Sequence, residues 1–166
     1  AGHCVESASD CEATTIVFGF EANGAGVVSP LRAQDLYACE EILAWSGPDD
    51  GEADYALLRL DRDVPDREPA RVVLDERSLP LGARVVMAGH PIGLPLKITP
   101  GGRVRPSPFG FPLNEPYYFG ADIDTFPGNS GSGGFLSDPD APQPLAGVLS
   151  SVVSRHVAAA RLSRSC

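Results

Sequence analysis

An all-β fold is what this sequence predicts, and three observations predict it. The 18 Gly and 16 Pro fall between short apolar runs rather than in one block, which is the punctuation of many strands joined by turns. Most of those runs are rich in Val, Ile, Leu, Phe or Tyr, side chains that suit a pleated, half-buried surface. Their starts recur about every ten to twelve residues, the spacing of a sandwich or barrel.

Taken in order, the first half predicts strands at Thr14–Phe20, Leu36–Leu43, Tyr55–Leu60 and Arg71–Leu74. The second half predicts them at Arg84–Gly89, Lys97–Val104, Tyr117–Ile123, Gly134–Leu136 and Leu145–Val153. Each is bounded by Gly, Pro, Asp or Asn. Ser154–Leu162 (SRHVAAARL) is the one stretch that reads as helical. Asp61–Glu68 (DRDVPDRE), with its Pro and its charges of both signs, reads as a connector between halves. The chain shows no internal repeat and no low-complexity tract.

The length of 166 residues suits one compact unit or two small packed halves, and 43% hydrophobic residues spread along the chain supply a core. A net charge of −9 argues against nucleic acid, because phosphate binding needs a basic surface. No apolar run approaches the roughly 20 residues of a membrane-spanning helix, so no membrane partner is expected. Acidic residues crowd Asp35 to Glu68, and Arg155, Arg161 and Arg164 gather near the end; both runs read as solvated faces. Cys4, Cys11, Cys39 and Cys166 lack the paired close spacing of a zinc site. An even count in an all-β chain favours disulfides and a secreted or periplasmic protein. The sequence opens at Ala1 without a Met or a signal peptide, so a preceding segment was removed or is not included.

Three local patterns carry chemistry. His3 stands in AGHC, Asp54 opens DYALLRL, and Ser130 lies in the glycine-rich DTFPGNSGSGG. A serine hydroxyl is a weak nucleophile until a base takes its proton, and imidazole titrates in the range to do so. The imidazole needs a carboxylate to fix its tautomer and to stabilise the imidazolium that forms. A tetrahedral oxyanion needs convergent backbone N–H donors, and Gly128 and Ser130, two apart in a turn, are the candidates for that oxyanion hole.

Each piece also has an ordinary reading. A His beside a Cys is commonly just packed or exposed, an Asp before a strand is a common turn residue, and a Gly-Ser run can be a flexible loop. It could also cradle phosphate, but no helix follows it and it lacks the Lys of a P-loop. What weighs against these readings is the order His, Asp, Ser with strands between. His90, before Pro91 in a turn, reads as structural, and His156 lies in the terminal stretch. Asp122 and Asp124 flank Ile123, but two carboxylates on a strand are too few to specify a metal.

On these residues the chain resembles the chymotrypsin-like serine peptidases. AGHC is similar to the motif around their catalytic histidine, DYALLRL to the segment carrying their triad acid, and GNSGS to their nucleophile loop. Asn129, where the vertebrate digestive enzymes have Asp, and the stretch Ala88–Val104 (AGHPIGLPLKITPGGRV) resemble the bacterial, glutamyl-endopeptidase-like branch. The resemblance runs from His3 to about Val153.

It implies two six-stranded antiparallel β-barrels with a cleft between them. Residues 1–65 would be part of the first, and 66–166 the second with a C-terminal segment. It implies a catalytic triad of His3, Asp54 and Ser130 that hydrolyses peptide bonds in protein or peptide substrates through an acyl-enzyme, with no metal or organic cofactor. The residue six before the nucleophile, at the base of the first substrate pocket in such enzymes, is Asp124, which would favour Lys or Arg before the cut. It could instead point into the barrel wall as a hydrogen-bonded acid. The glutamate-specific relatives place a His where this chain has Leu149, so glutamate specificity is not carried over.

In such peptidases the Cys after the catalytic His usually pairs with one upstream. Cys4 would then lack its partner here, Cys11–Cys39 would be the pair within this chain, and Cys166 would pair elsewhere or stay free. The pairing Cys4–Cys11 with Cys39–Cys166 stays open.

The chain departs from the family pattern at three places: few residues precede His3, Gly133 stands where many relatives have Pro, and the last sixteen residues do not match the expected pocket-wall strands and closing helix. The first departure leads to the expectation that a fully active protein carries roughly 30 to 50 further upstream residues, enough for the missing strands. Two other functions compete with this reading. A catalytically inactive domain of this type, used as a binding module, would usually betray itself by a substituted triad residue. An α/β-hydrolase esterase would need the order Ser, Asp, His and a helix after the serine.

Overall fold

The computed structural model describes residues 1–47, 53–72, 79–106, 119–137, 144–148, 151–153 and 157–159. It is mostly β-structure in curled antiparallel sheets. The first half forms a meander of β1 (Thr15–Val17), β2 (Leu36–Ser46) and β3 (Tyr55–Leu60). In β2 the inward side chains are Tyr37 and Cys39 at its start but Ile42, Ala44 and Ser46 at its end. The switch follows a β-bulge between Cys39 and Glu41, because one extra residue exchanges the two faces. From β3, Ala56 and Leu58 face the same interior, packing with Val5, Cys11, Cys39, Ile16 and Ile42.

A short helix, α1 (Ala8–Ala13), follows the segment of His3 and was not expected. Its signal is present in the sequence: Ser7 caps the Asp10 N–H at 3.2 Å, while the Asp10 carboxylate accepts from the Ser7 N–H at 2.8 Å, a reciprocal capping box. The Cys11–Cys39 disulfide, with 5.2 Å between Cα atoms, ties α1 to β2 as expected. That bond removes the alternative Cys4–Cys11. The expectation that Cys4 lacks a partner is corrected, for Cys4 is itself disulfide-bonded. Cys166 lies outside the described residues. The expectation for Cys4 rested on how relatives pair this cysteine.

The second half contributes β4 (Arg84–Gly89), β5 (Lys97–Arg105), β6 (Gly120–Ala121), β7 (Gly133–Leu136), β8 (Leu145–Val148), β9 (Ser151–Val153) and β10 (Val157–Ala159). Among the described residues they order as β8-β7-β4-β5-β6-β10-β9, with Met87, Ala121 and Ile123 as core and Phe119 against them. The helix expected over Ser154–Leu162 is overturned at Val157–Ala159, which pairs antiparallel with both β9 and β6. Alanine favours a helix locally, but an open edge at β6 and a hairpin partner in β9 offer tertiary pairing that outweighs propensity. Of the expected strand at Arg71–Leu74, the described residues show one bridge, from Val72 to Leu145, and residues 73–74 lie outside them.

The halves are joined by specific contacts. The Leu96 N–H donates to the Phe20 carbonyl at 2.9 Å, and the Phe20 and His90 rings stack at 5.8 Å. His90 Nδ1 donates to the Leu94 carbonyl at 3.1 Å, the structural role expected for it. The connector is clipped to the first half by Asp35, a buried carboxylate that accepts from Arg32 Nε at 2.9 Å and from Arg67 at 3.3 Å. Hydrogen bonding from the Arg32 guanidinium, aided by Arg67, holds the Asp35 carboxyl down at about 2.

The folded value lies below the roughly 3.9 of a free aspartate, so this contribution is complete above about pH 4 and is lost as pH falls toward 2. Asp35→Asn is therefore expected to flatten the fall of the thermal midpoint between pH 4 and 2. Parallel curves for the two proteins would show that the clip adds nothing to acid stability.

Candidate active site

The turn Gly2–Cys4 lies over the ends of β2 and β3. Gly2 is buried there, and its carbonyl accepts the Trp45 indole N–H at 2.9 Å. This seats His3 directly against Asp54, the residue before β3. One Asp54 oxygen accepts the His3 backbone N–H at 2.9 Å, and the other meets His3 Nδ1 at 2.7 Å. Both side chains are almost sealed from solvent, at 3% and 1% exposed. An ionised carboxylate only accepts, so Nδ1 carries a proton, and in the neutral ring Nε2 presents a lone pair. Nε2 is buried and has no hydrogen-bond partner among the described residues.

The serine loop comes to the same region. A Cβ placed on Gly131 would lie 3.0 Å from the Ala1 nitrogen, so the loop abuts the segment that carries His3. Gly128 (φ 83°) and Gly131 (φ 84°) flank Asn129 and Ser130 in left-handed conformations that glycine adopts without strain. Between them Asn129 is buried and braces the loop. Its amide nitrogen donates to Thr125 Oγ1 at 2.9 Å, and its oxygen accepts from Ser132 Oγ at 3.2 Å. In the sequence Asn129 is only a mark of resemblance, yet in the fold it is the residue that holds the turn.

Among the described residues neither the Gly128 nor the Ser130 N–H donates a hydrogen bond within the protein. The loop thus offers two free donors on either side of Asn129. The structure therefore brings His3 and Asp54 into contact and sets the Ser130 loop beside them, without a hydrogen bond from Ser130 to His3. Such links are often long in unliganded enzymes and tighten with substrate.

Of the remaining sequence candidates, Asp124 is exposed and makes no hydrogen bond among the described residues. Asp122 is used structurally: it accepts the Arg103 N–H at 2.7 Å and Arg105 Nε at 2.6 Å. Partial burial works against its charge, but the Arg105 guanidinium and the Arg103 amide hold its carboxyl below the usual range. Leu149 and His156 lie outside the described residues. No helix among the described residues is long and apolar enough to cross a membrane.

Comparison with known proteins agrees with this architecture. A solved structure described as the Rv3671c protease in its inactive form is similar, with 18% identity and a TM-score of 0.51 over 78% of this chain and 63% of that one. At that identity the likeness speaks to the fold, and the chain spans less than two thirds of that protein's length. No curated protein matches it. The family described as the trypsin-like peptidase domain matches residues 1–139, from before His3 to beyond the Ser130 loop. This chain belongs to the trypsin-like peptidase family.

Proposed function

We propose that the protein is a serine endopeptidase in which Ser130 is the nucleophile, His3 the general base and Asp54 the residue that orients it. The observation that carries the reading is the buried His3–Asp54 pair. Asp54 grips both the backbone and the ring of His3, and among the described residues Nε2 is a buried ring nitrogen without a hydrogen-bond partner. A fold does not spend a buried, unsatisfied nitrogen on packing alone, so the natural partner is a hydroxyl brought to it. Ser130 Oγ would give its proton to Nε2 and attack the peptide carbonyl carbon. The Gly128 and Ser130 N–H groups would receive the oxyanion. As the C–N bond breaks, the imidazolium returns the proton to the leaving amine, and water then cleaves the acyl-enzyme by the same steps.

The finer parts of the reading belong with it: a two-barrel arrangement around the site, polypeptide substrates, and export, which the Cys11–Cys39 disulfide supports. Treatment with an active-site phosphonate tests it, with the adduct expected on Ser130 alone. A folded protein that takes no label would favour the inactive, binding-module alternative.

The exposed Asp124, six residues before Ser130, extends the proposal to specificity. A carboxylate there would attract a basic side chain on the residue before the cut. A peptide-library digest is expected to show Lys or Arg at that position, and indifference to charge would remove Asp124 from the pocket.

A further inference from the structure

Ile92 combines two unfavourable features. Its backbone is left-handed (φ 54°, ψ 31°), the only non-glycine with positive φ among the described residues. That region is most hostile to β-branched side chains. Its side chain is also 72% exposed, so the fold gains no burial in return. Glycine would avoid the strain and the exposed apolar surface together. The turn is nevertheless firmly built. Pro91 is buried beneath it, the Gly93 N–H donates to the His90 carbonyl at 3.1 Å, and the Leu94 N–H donates to the Pro91 carbonyl at 2.9 Å.

The location gives these features a meaning. The Ile92 N–H donates to the Pro127 carbonyl at 3.1 Å, and a Cβ on Gly128 would lie 2.8 Å from the Ile92 nitrogen. Ile92 therefore stands directly against the loop that carries the proposed oxyanion donor. Phe126, two residues before Gly128, is 59% exposed, so apolar surface continues along the loop. Strain with no packing return, placed beside reacting atoms, marks a side chain whose contact is made outside the isolated fold.

We propose that Ile92 is a substrate-contacting specificity residue, presenting an apolar face to a large apolar side chain of the bound polypeptide close to the scissile bond. The inference rests on the peptidase reading above. It is separate from Asp124, which concerns charge at the residue before the cut.

Ile92→Gly and Ile92→Asn both accept left-handed backbone and retain the N–H to Pro127, so the turn should persist and thermal stability should hold or rise. Peptides varied on each side of the cut would be compared with a small phenyl ester too short to reach Ile92. In the wild type, one of these positions should favour Leu or Phe over Ala. In both variants that preference is expected to shrink about tenfold or more, the scale of burying one such side chain, through a loss in kcat/KM for the apolar peptides. Ester hydrolysis should stay within about twofold. Unchanged peptide preference in both variants would overturn the proposal. So would parallel loss of ester and peptide turnover, which would make Ile92 merely a brace for the loop. A wild-type protein inert to the phosphonate and to the ester would instead overturn the peptidase reading itself, and this inference with it.

Discussion

Ser130→Ala is expected to abolish peptide hydrolysis, by on the order of 10⁴- to 10⁶-fold in kcat, while leaving the thermal midpoint nearly unchanged. The two halves of this expectation have separate grounds. The loop is shaped by left-handed Gly128 and Gly131 and braced by Asn129 to Thr125 and Ser132, and among the described residues the Ser130 hydroxyl holds nothing in place. Its loss should cost the fold little and the chemistry its nucleophile. Asp54→Asn should be nearly as damaging to turnover, by about 10⁴-fold. The amide could still accept the His3 backbone N–H, but an amide nitrogen facing Nδ1 favours the tautomer that puts the proton on Nε2. Steady-state kinetics and calorimetry on each variant check both halves. Near-normal turnover in Ser130→Ala would refute the mechanism, and a collapsed midpoint would refute the account of the loop.

Much of the scaffold was legible in the sequence because strand and turn chemistry are local. The expected strands at Tyr55–Leu60 and Arg84–Gly89 are β3 and β4 without change, and Leu36 and Lys97 open β2 and β5 as read. The errors lie where tertiary pairing decides. Val157–Ala159 is helical by composition and strand by its neighbours, and the bulge after Cys39 exchanges the faces of β2 with no Gly or Pro to announce it. The site shows the same division. Residue types and order could nominate His3 and Asp54, but only the fold closes the separation of 51 positions from one to the other. Asn129 as a strut and Ile92 as an exposed, strained side chain depend on contacts that no periodicity records. Gly2 is the clearest case, since in AGHC it reads as a spacer.

Gly2→Ala is expected to lower kcat/KM by about a hundredfold or more and the thermal midpoint by roughly 5 °C or more. A Cβ at Gly2 would overlap the Ser46 carbonyl oxygen, and it would lie 2.9 Å from the Tyr55 carbonyl oxygen and 3.0 Å from Asp54 Oδ1. The two carbonyls belong to the backbone at the ends of β2 and β3, so no rotamer change can clear them. The segment carrying His3 must then lift away, straining the Trp45 indole bond to the Gly2 carbonyl and both bonds from His3 to Asp54. A displacement of about 1 Å at a catalytic base can cost roughly a hundredfold in rate. Separating a buried pair also leaves each partner desolvated and uncompensated, which is worth about 3 kcal/mol or more. Gly24→Ala is the control, because a Cβ there meets nothing within 4 Å, and both its activity and its midpoint should match the wild type. If Gly2→Ala behaved like that control, the packing of Gly2 against β2 and β3 would not be what positions His3, and the tight seating of AGHC would need another purpose.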